Sequence, residues 1–329
     1  VTELPWPAGS ATGIGSLPGT DIVEAVKTVF GELPDLPYLP ELPARGPGAD
    51  MLGRSAGLLV DLPVELYAAR WRIAARPGAD ARRTADLRER DLDALTEQAT
   101  GYNGVLKIQS AGPWTLAANL ELRTGGAMLR DAGAVSDLAA SLAEGLRAHV
   151  AQITRRVPGA EVLVQLDEAS LPAVLAGQVP TESGFGTLRP VERATAVAAI
   201  QAVTSAVGVP VALHCCAPAP PVGLFRDAGA TAVALDLDLV TDLDPLGEVL
   251  DAGVGLLAGA VPARAPSAPD SDRVADRVRE LWHRLGFAAE RLPARVVVTQ
   301  ACGLAGASPE YARAALVAAR EAARRLASG

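Results

Sequence analysis

The sequence predicts an α/β protein folded as a closed (β/α)8 barrel, and three observations lead there. Short apolar runs alternate with longer amphipathic segments along the chain, the pattern of βα units repeated around a parallel sheet. Eight such runs can be counted, the number that closes a barrel. The length of 329 residues suits one barrel with elaborated loops, because this fold exceeds about 250 residues as a single unit. One domain over 1–329 is therefore expected. A doubly wound open sheet is the alternative, weakened because "GIGSLPGT" follows the first run where that fold carries G-x-G-x-x-G.

In chain order the expected strands are "ATGIGS" (11–16), a weak one in "LPYLPEL" (36–42), "GVLKIQSA" (104–111) and "EVLVQLDE" (161–168). "VPVALHC" (209–215), "TAVALDLD" (231–238), "GVGLLAGA" (253–260) and "RVVVTQAC" (295–302) complete the set. Helices fit the segments between them. "TDIVEAVKTVFG" opens on a Thr/Asp cap and closes on Gly31, and "SPEYARAALVAAREAARRLA" has Ser308 as cap with Pro309 at the first helical position. Further helices fit "SDLAASLAEGLRAHVAQI", "RPVERATAVAAIQAVTSAV" and "SDRVADRVRELWHRLG". Proline-rich stretches at 33–48 and 262–270 interrupt the pattern. The second follows a strand directly, which puts it at the barrel's C-terminal mouth, as a plain surface loop or a substrate cover.

Composition narrows the function. Hydrophobic residues make up 49% and charged residues 21%, with a mean hydropathy of +0.21: enough apolar material for a large core. A formal charge of −8 argues against nucleic acid as a partner, since that affinity comes from Lys and Arg neutralising phosphates. Three cysteines, two of them adjacent, form no disulfide framework, so a reducing cytoplasm is expected. The opening "VTELPWPAGSATG" lacks the basic and apolar regions of a signal peptide, and no run reaches transmembrane length, so neither secretion nor a membrane is expected.

The chemistry concentrates in "VALHCCAPAP" (211–220). On a strand, alternate side chains share a face, so His214 and Cys216 project together and Cys215 projects away. Imidazole and thiolate are the donors zinc favours, and a site needs about four. Cys302 ends another strand. In "TAVALDLD" the alternation puts Ala232, Ala234, Asp236 and Asp238 on one face, and unpaired carboxylates on a buried strand are costly without metal or hydrogen-bond partners. Each residue alone reads as core filler; as a set at strand C-termini, where barrel active sites lie, they point to a metal.

These residues carry a resemblance. "TGIGSLPGT" near the start, "GPWTL" (112–116), "QLDEASL" (165–171), H-x-C (214–216) and "ACGL" (301–304) occur in the order and spacing of the C-terminal catalytic half of cobalamin-independent methionine synthase. The chain resembles that family over nearly its whole length. The wider group comprises zinc-dependent methyltransferases, including short core methionine synthases, and shares its barrel with uroporphyrinogen decarboxylase. The resemblance implies Zn2+ held by His214, Cys216 and Cys302, with Asp236 where the family has Glu and Asp238 in reserve. It implies homocysteine as substrate, its amino-acid end held by Ile14, Gly15 and Ser16 and its ammonium by Asp167. Glu168 belongs to the same motif as a substrate contact or a structural partner. Homocysteine would then be activated as a thiolate on zinc, oriented by Asp167, and would attack a methyl group in line, with Cys216 and Asp167 central to catalysis.

The departures from the family concern the methyl donor. Asn119 stands where the folate-using enzymes have a Trp that supports the pterin. "AGAVPARAPS" has no counterpart to the family's proton-donating His, and in "GADMLGR" Gly53 takes the place of a Glu. A folate amine needs protonation to leave, so the losses favour a methylcobamide on a corrinoid protein. A methyltransferase for another thiol, and a non-catalytic barrel that binds zinc or a thiol, remain as alternatives.

Overall fold

The computed structural model describes residues 3–328. Its strands are β1 (Val64–Tyr67), β2 (Arg70–Ile73), β3 (Gly104–Ala111), β4 (Ala160–Asp167), β5 (Val211–Cys215), β6 (Ala232–Asp236), β7 (Gly255–Val261) and β8 (Val296–Gln300). β3 to β8 form one parallel sheet in sequential order, while β1 and β2 pair as a separate antiparallel hairpin.

The two N-terminal segments expected as barrel strands are not regular strands, yet they close the ring. Thr12 N donates to Val298 O at 3.1 Å and Val298 N to Ser10 O at 3.2 Å. Leu17 N donates to Glu41 O at 2.9 Å and Glu41 N to Gly15 O at 3.0 Å. Leu39 N reaches Lys107 O at 3.0 Å, and Lys107 N reaches Pro37 O at 2.9 Å. β8, segment 10–17, segment 36–42 and β3 thus run side by side, and the α/β barrel is complete. Pro37 and Pro40 have no N–H to offer a ladder, which is why segment 36–42 makes isolated bonds only. Gly13 is required where this part closes, because a Cβ there would collide with the Tyr38 ring.

The hairpin was not foreseen, for a definite reason. Its turn is Ala68-Ala69, both in the left-handed region at φ 47° and 64°, where Asn or Gly is the usual signal.

Helices cover the outside. Ile22–Glu32 is capped by Asp21, whose Oδ1 accepts from Val23 N at 3.0 Å; it runs one residue past Gly31. Ala132–Arg156 packs on Arg193–Val207, and Pro309–Ser328 packs on β8 and Ser271–Arg284. Ser308 Oγ accepts from Tyr311 N at 3.1 Å, with Pro309 opening the helix as expected. Among the described residues no helix is long and apolar enough to cross a membrane.

Inside the ring, side chains are layered. The N-terminal end is filled by Leu36, Val105, Leu163, Ala212, Ala232, Leu257 and Val297, plugged from below by Leu4 and Trp6. The small residues of β5 to β7 make room for the Trp6 indole; a Cβ on Gly255 would come within 2.6 Å of it. This packing explains the small face of "TAVALDLD" without any metal. Above it lies a polar layer, with Lys107 and Gln165 at 0% exposure, His214 at 3% and Asp167 at 7%. The functional residues sit at its C-terminal rim.

Candidate functional site

β5 delivers His214 and, one step past its end, Cys216; the loop after β8 delivers Cys302. The two sulfurs meet at 3.1 Å, although 86 residues separate them. Cys215 is buried in the surrounding apolar core at 1% exposure. The remaining S–H of the pair donates to the other sulfur once that is ionised. This contact draws the Cys302 thiol down, opposed by burial and helped by the nearby His214, whereas on Cys216 the contact and burial both push the thiol up.

β4 sets the carboxylate. Asp167 Oδ1 lies 2.9 Å from His214 Nδ1 and accepts from Gln165 Nε2 at 2.7 Å, and no hydrogen bond to its Oδ2 occurs among the described residues. His214 Nε2 is buried with no hydrogen-bond partner among the described residues. A carboxylate on one imidazole nitrogen and a bare second nitrogen is the arrangement found behind metal-binding histidines. In donor chemistry, two thiols in contact and this imidazole fit zinc. Among the described residues, however, no three His, Cys, Asp or Glu side chains are gathered as a metal cluster: the structure joins Cys216 to Cys302 and His214 to Asp167, not all four expected ligands.

Asp236 lies on the interior-facing parity at the end of β6, half-buried, with Oδ1 accepting from Asp238 N at 2.9 Å. Asp238 is not on the same face. The strand ends at Asp236, and Asp238 turns outward to pair with Arg277.

Ile14, Gly15 and Ser16 line the same rim. Leu304 N donates to Ser16 O at 2.8 Å, and a Cβ on Gly303 would collide with Ser16 Oγ, so this segment lies directly against the Cys302 loop. Glu168 points the other way. It is fully buried, accepting from Trp114 N at 3.0 Å, Thr115 N at 2.8 Å and Thr115 Oγ1 at 3.0 Å. It caps the helix Pro113–Asn119 and so belongs to the scaffold.

Burial pushes the Glu168 carboxyl up to about 7, against the pull of those bonds. A raised carboxyl binds its proton more tightly in the folded state, so its contribution is complete below the unfolded value near 4.5 and is lost as pH rises through about 7. In Glu168→Gln, thermal melts at pH 5 show a lower Tm than the parent because an acceptor is lost. The decline of Tm between about pH 4.5 and 7 is then shallower by a few degrees; an unchanged slope contradicts this assignment.

Two charged residues, one at the rim and one beneath it, carry no role in the sequence expectations. Glu41, at 6% exposure, ends segment 36–42 beside Asp167, Gln109 and Lys107. Burial pushes its carboxyl up, Arg54 pulls it down, and Asp167 adds to the rise. Arg54 Nε stands 3.6 Å from it, and Arg54 is itself tied with Arg45 to the buried Asp91. A carboxylate is thus present at this mouth from position 41. At Gly53, where the resemblance puts the family's Glu, a Cβ would come within 2.6 Å of the Trp71 ring, so a side chain does not fit there without a shift of that ring. The second residue is Lys107, whose only sequence signal was a Lys inside an apolar strand. Burial lowers its ammonium to about 8, against the opposing pull of Asp167 and Glu41.

Asn119 donates to Thr115 O at 2.7 Å and Ser170 Oγ at 3.1 Å. It borders a cleft of about 450 Å³ between the hairpin and segment 170–182. Loop 262–270 leaves β7 without regular structure, and its Asp270 caps the helix Ser271–Arg284.

The chain matches the family model described as "Cobalamin-independent synthase, Catalytic domain" over residues 9–325. Among solved structures it is similar to a B12-independent methionine synthase from Shewanella sp. W3-18-1 in complex with selenomethionine, at TM-score 0.65 and 13% identity, covering 98% of both chains. It is also similar to a methyltransferase from Methanosarcina mazei, at TM-score 0.58 and 14% identity, covering 98% of this chain and 94% of that one. No curated protein matches it significantly. At such identities the structural likeness speaks to the barrel, while the family match extends across the rim residues described above. The chain belongs to the catalytic-domain family of the cobalamin-independent synthases.

Proposed function

We propose that the protein is a zinc-dependent S-methyltransferase that converts homocysteine to methionine, using a methylated corrinoid rather than methyltetrahydrofolate polyglutamate as donor. The observation that carries this reading is the Cys216–Cys302 sulfur pair at 3.1 Å, set beside the Asp167–His214 pair on the rim of a barrel of this family. Cys216, Cys302 and His214 Nε2 would hold the metal. Asp236 Oδ1 already accepts from Asp238 N, so its other oxygen would be the one to approach the metal. Zinc, when bound, supplies the acidity that keeps a substrate thiol ionised at neutral pH.

The chain's own residues do the rest. Asp167 Oδ2, without a hydrogen-bond partner among the described residues, receives the substrate ammonium, with the Glu41 carboxylate beside it. The backbone of Ile14 to Ser16 receives the carboxylate. Fixing both ends aims the sulfur outward and removes orientational freedom before the transfer. The Shewanella neighbour's complex with selenomethionine, an amino acid of the proposed product's shape, is in keeping with this pocket.

The donor follows from what the rim lacks. Loop 262–270 has no His, and of its charged side chains Asp270 caps a helix while Arg264 cannot serve as an acid because it keeps its proton. Without a proton donor from this loop, where the resembled family carries its His, the leaving group is expected to depart unaided. Zinc-loaded protein incubated with homocysteine and methylcobalamin is expected to form methionine. With methyltetrahydrofolate polyglutamate the rate should be lower by about 100-fold or more, the usual worth of a general acid. Equal rates would defeat the donor assignment. Faster methylation of a different thiol would favour the wider thiol methyltransferase, and no methylation of any thiol would leave a binding barrel.

A further inference from the structure

Lys107 projects from β3 into the barrel below the rim and is wholly buried. Its Nζ donates to Ile14 O at 3.1 Å, Gln109 Oε1 at 3.2 Å and Gln165 Oε1 at 2.9 Å, which uses all three ammonium protons. Gln165 Nε2 in turn donates to Ile14 O at 2.8 Å and Asp167 Oδ1 at 2.7 Å. Gln109 Nε2 donates to Leu39 O at 2.6 Å. A Met or Leu would fill this space without the desolvation that burying an ammonium costs, so the bonds it makes call for a reason.

The reason lies in the irregular side of the barrel. Segments 10–17 and 36–42 are held by isolated bridges, and those bridges leave the Ile14 carbonyl to Lys107 and Gln165. We infer that Lys107 is a positioning residue for the substrate: it ties the Ile14–Ser16 backbone, through Gln165, to Asp167, and so sets the distance between the two groups that grip the amino-acid end. The inference rests on the proposed homocysteine pocket. Lys107 touches neither the sulfur pair nor His214, so its removal acts on binding and leaves the metal in place.

The test uses zinc-loaded full-length protein, with homocysteine titrated calorimetrically into the parent, Lys107→Met, Gln165→Met and the double variant, alongside zinc content and steady-state methylation. Each single change is expected to weaken homocysteine binding by about 10- to 100-fold, the worth of a buried hydrogen bond to a charged group. Zinc content stays at the parental level, and kcat at saturating homocysteine falls by no more than about threefold, the signature of lost ground-state binding. The double variant binds about as weakly as the worse single one, because both residues act through one network. A folded, zinc-loaded Lys107→Met with parental affinity overturns the inference, as does a lowered Tm with affinity unchanged. If Lys107→Met does not fold, Gln165→Met decides by the same criterion. A parent that binds no homocysteine defeats the functional reading itself, and the inference with it.

Discussion

Cys302→Ala, expressed with zinc, is expected to lose most of its metal and all measurable methyl transfer, whereas Cys215→Ala keeps about one zinc per chain and parental activity. The contrast is set by geometry. Cys302 Sγ meets Cys216 Sγ at 3.1 Å, while Cys215 lies in the apolar core at 1% exposure. Loss of a supporting partner behind a ligand typically costs 10- to 100-fold in metal affinity, so loss of a ligand sulfur should exceed about 100-fold. Metal analysis of the purified proteins, followed by zinc titration against a chelating indicator, reads this directly. Parental zinc in Cys302→Ala would dissolve the metal assignment, and loss of zinc in Cys215→Ala would mean that the strand register is wrong. Cys215→Ala should also cost some stability, because a buried thiol is replaced by a smaller side chain.

The second large effect is expected at Asp167, to which the proposed function gives two tasks. Through Oδ1 it orients His214, and Oδ2 is available to an ammonium. Asp167→Asn keeps the shape and removes the charge. Homocysteine KM should rise by about 10- to 100-fold, the range for a charge-assisted hydrogen bond, and zinc affinity should fall by about 10- to 100-fold because the His214 imidazole loses its anionic partner. Measuring KM at saturating zinc separates the two. A KM that returns to the parental value once zinc is saturating would leave Asp167 a role at the metal only. Homocysteine lacking its amino group, 4-mercaptobutanoate, should discriminate poorly between parent and variant if the ammonium contact is the one lost.

Much of the barrel was legible in the sequence. β3, β5, β6 and β8 fall within the expected runs and β4 and β7 overrun theirs by one residue, because each is a largely apolar stretch bounded by turn residues, which is how a strand buried on both faces reads. The two N-terminal segments were placed correctly but are bridges rather than strands, since glycines and prolines such as Gly13, Pro37 and Pro40 break the ladder while the chain still passes between β8 and β3. The β1–β2 hairpin was illegible because Ala68 and Ala69 adopt left-handed backbone that their side chains do not announce.

At the site, the period of two along β4 and β5 was enough to set Asp167, His214 and Cys216 on the inner face and Cys215 and Glu168 off it. Pattern alone fails where contacts come from distant strands. That the small face of β6 answers to Trp6, that Asp238 leaves the strand for Arg277, that Glu168 caps a helix, and that the second carboxylate comes from Glu41 are matters of which elements curl into contact. The sequence by itself determined the fold class, the strand parities and the chemical types gathered at the rim, because these depend on local periodicity. Only the tertiary structure decided which partners those side chains meet, and hence that a buried Lys107 stands beneath the pocket, because barrel closure brings together residues whose separation along the chain carries no signal of their distance in space.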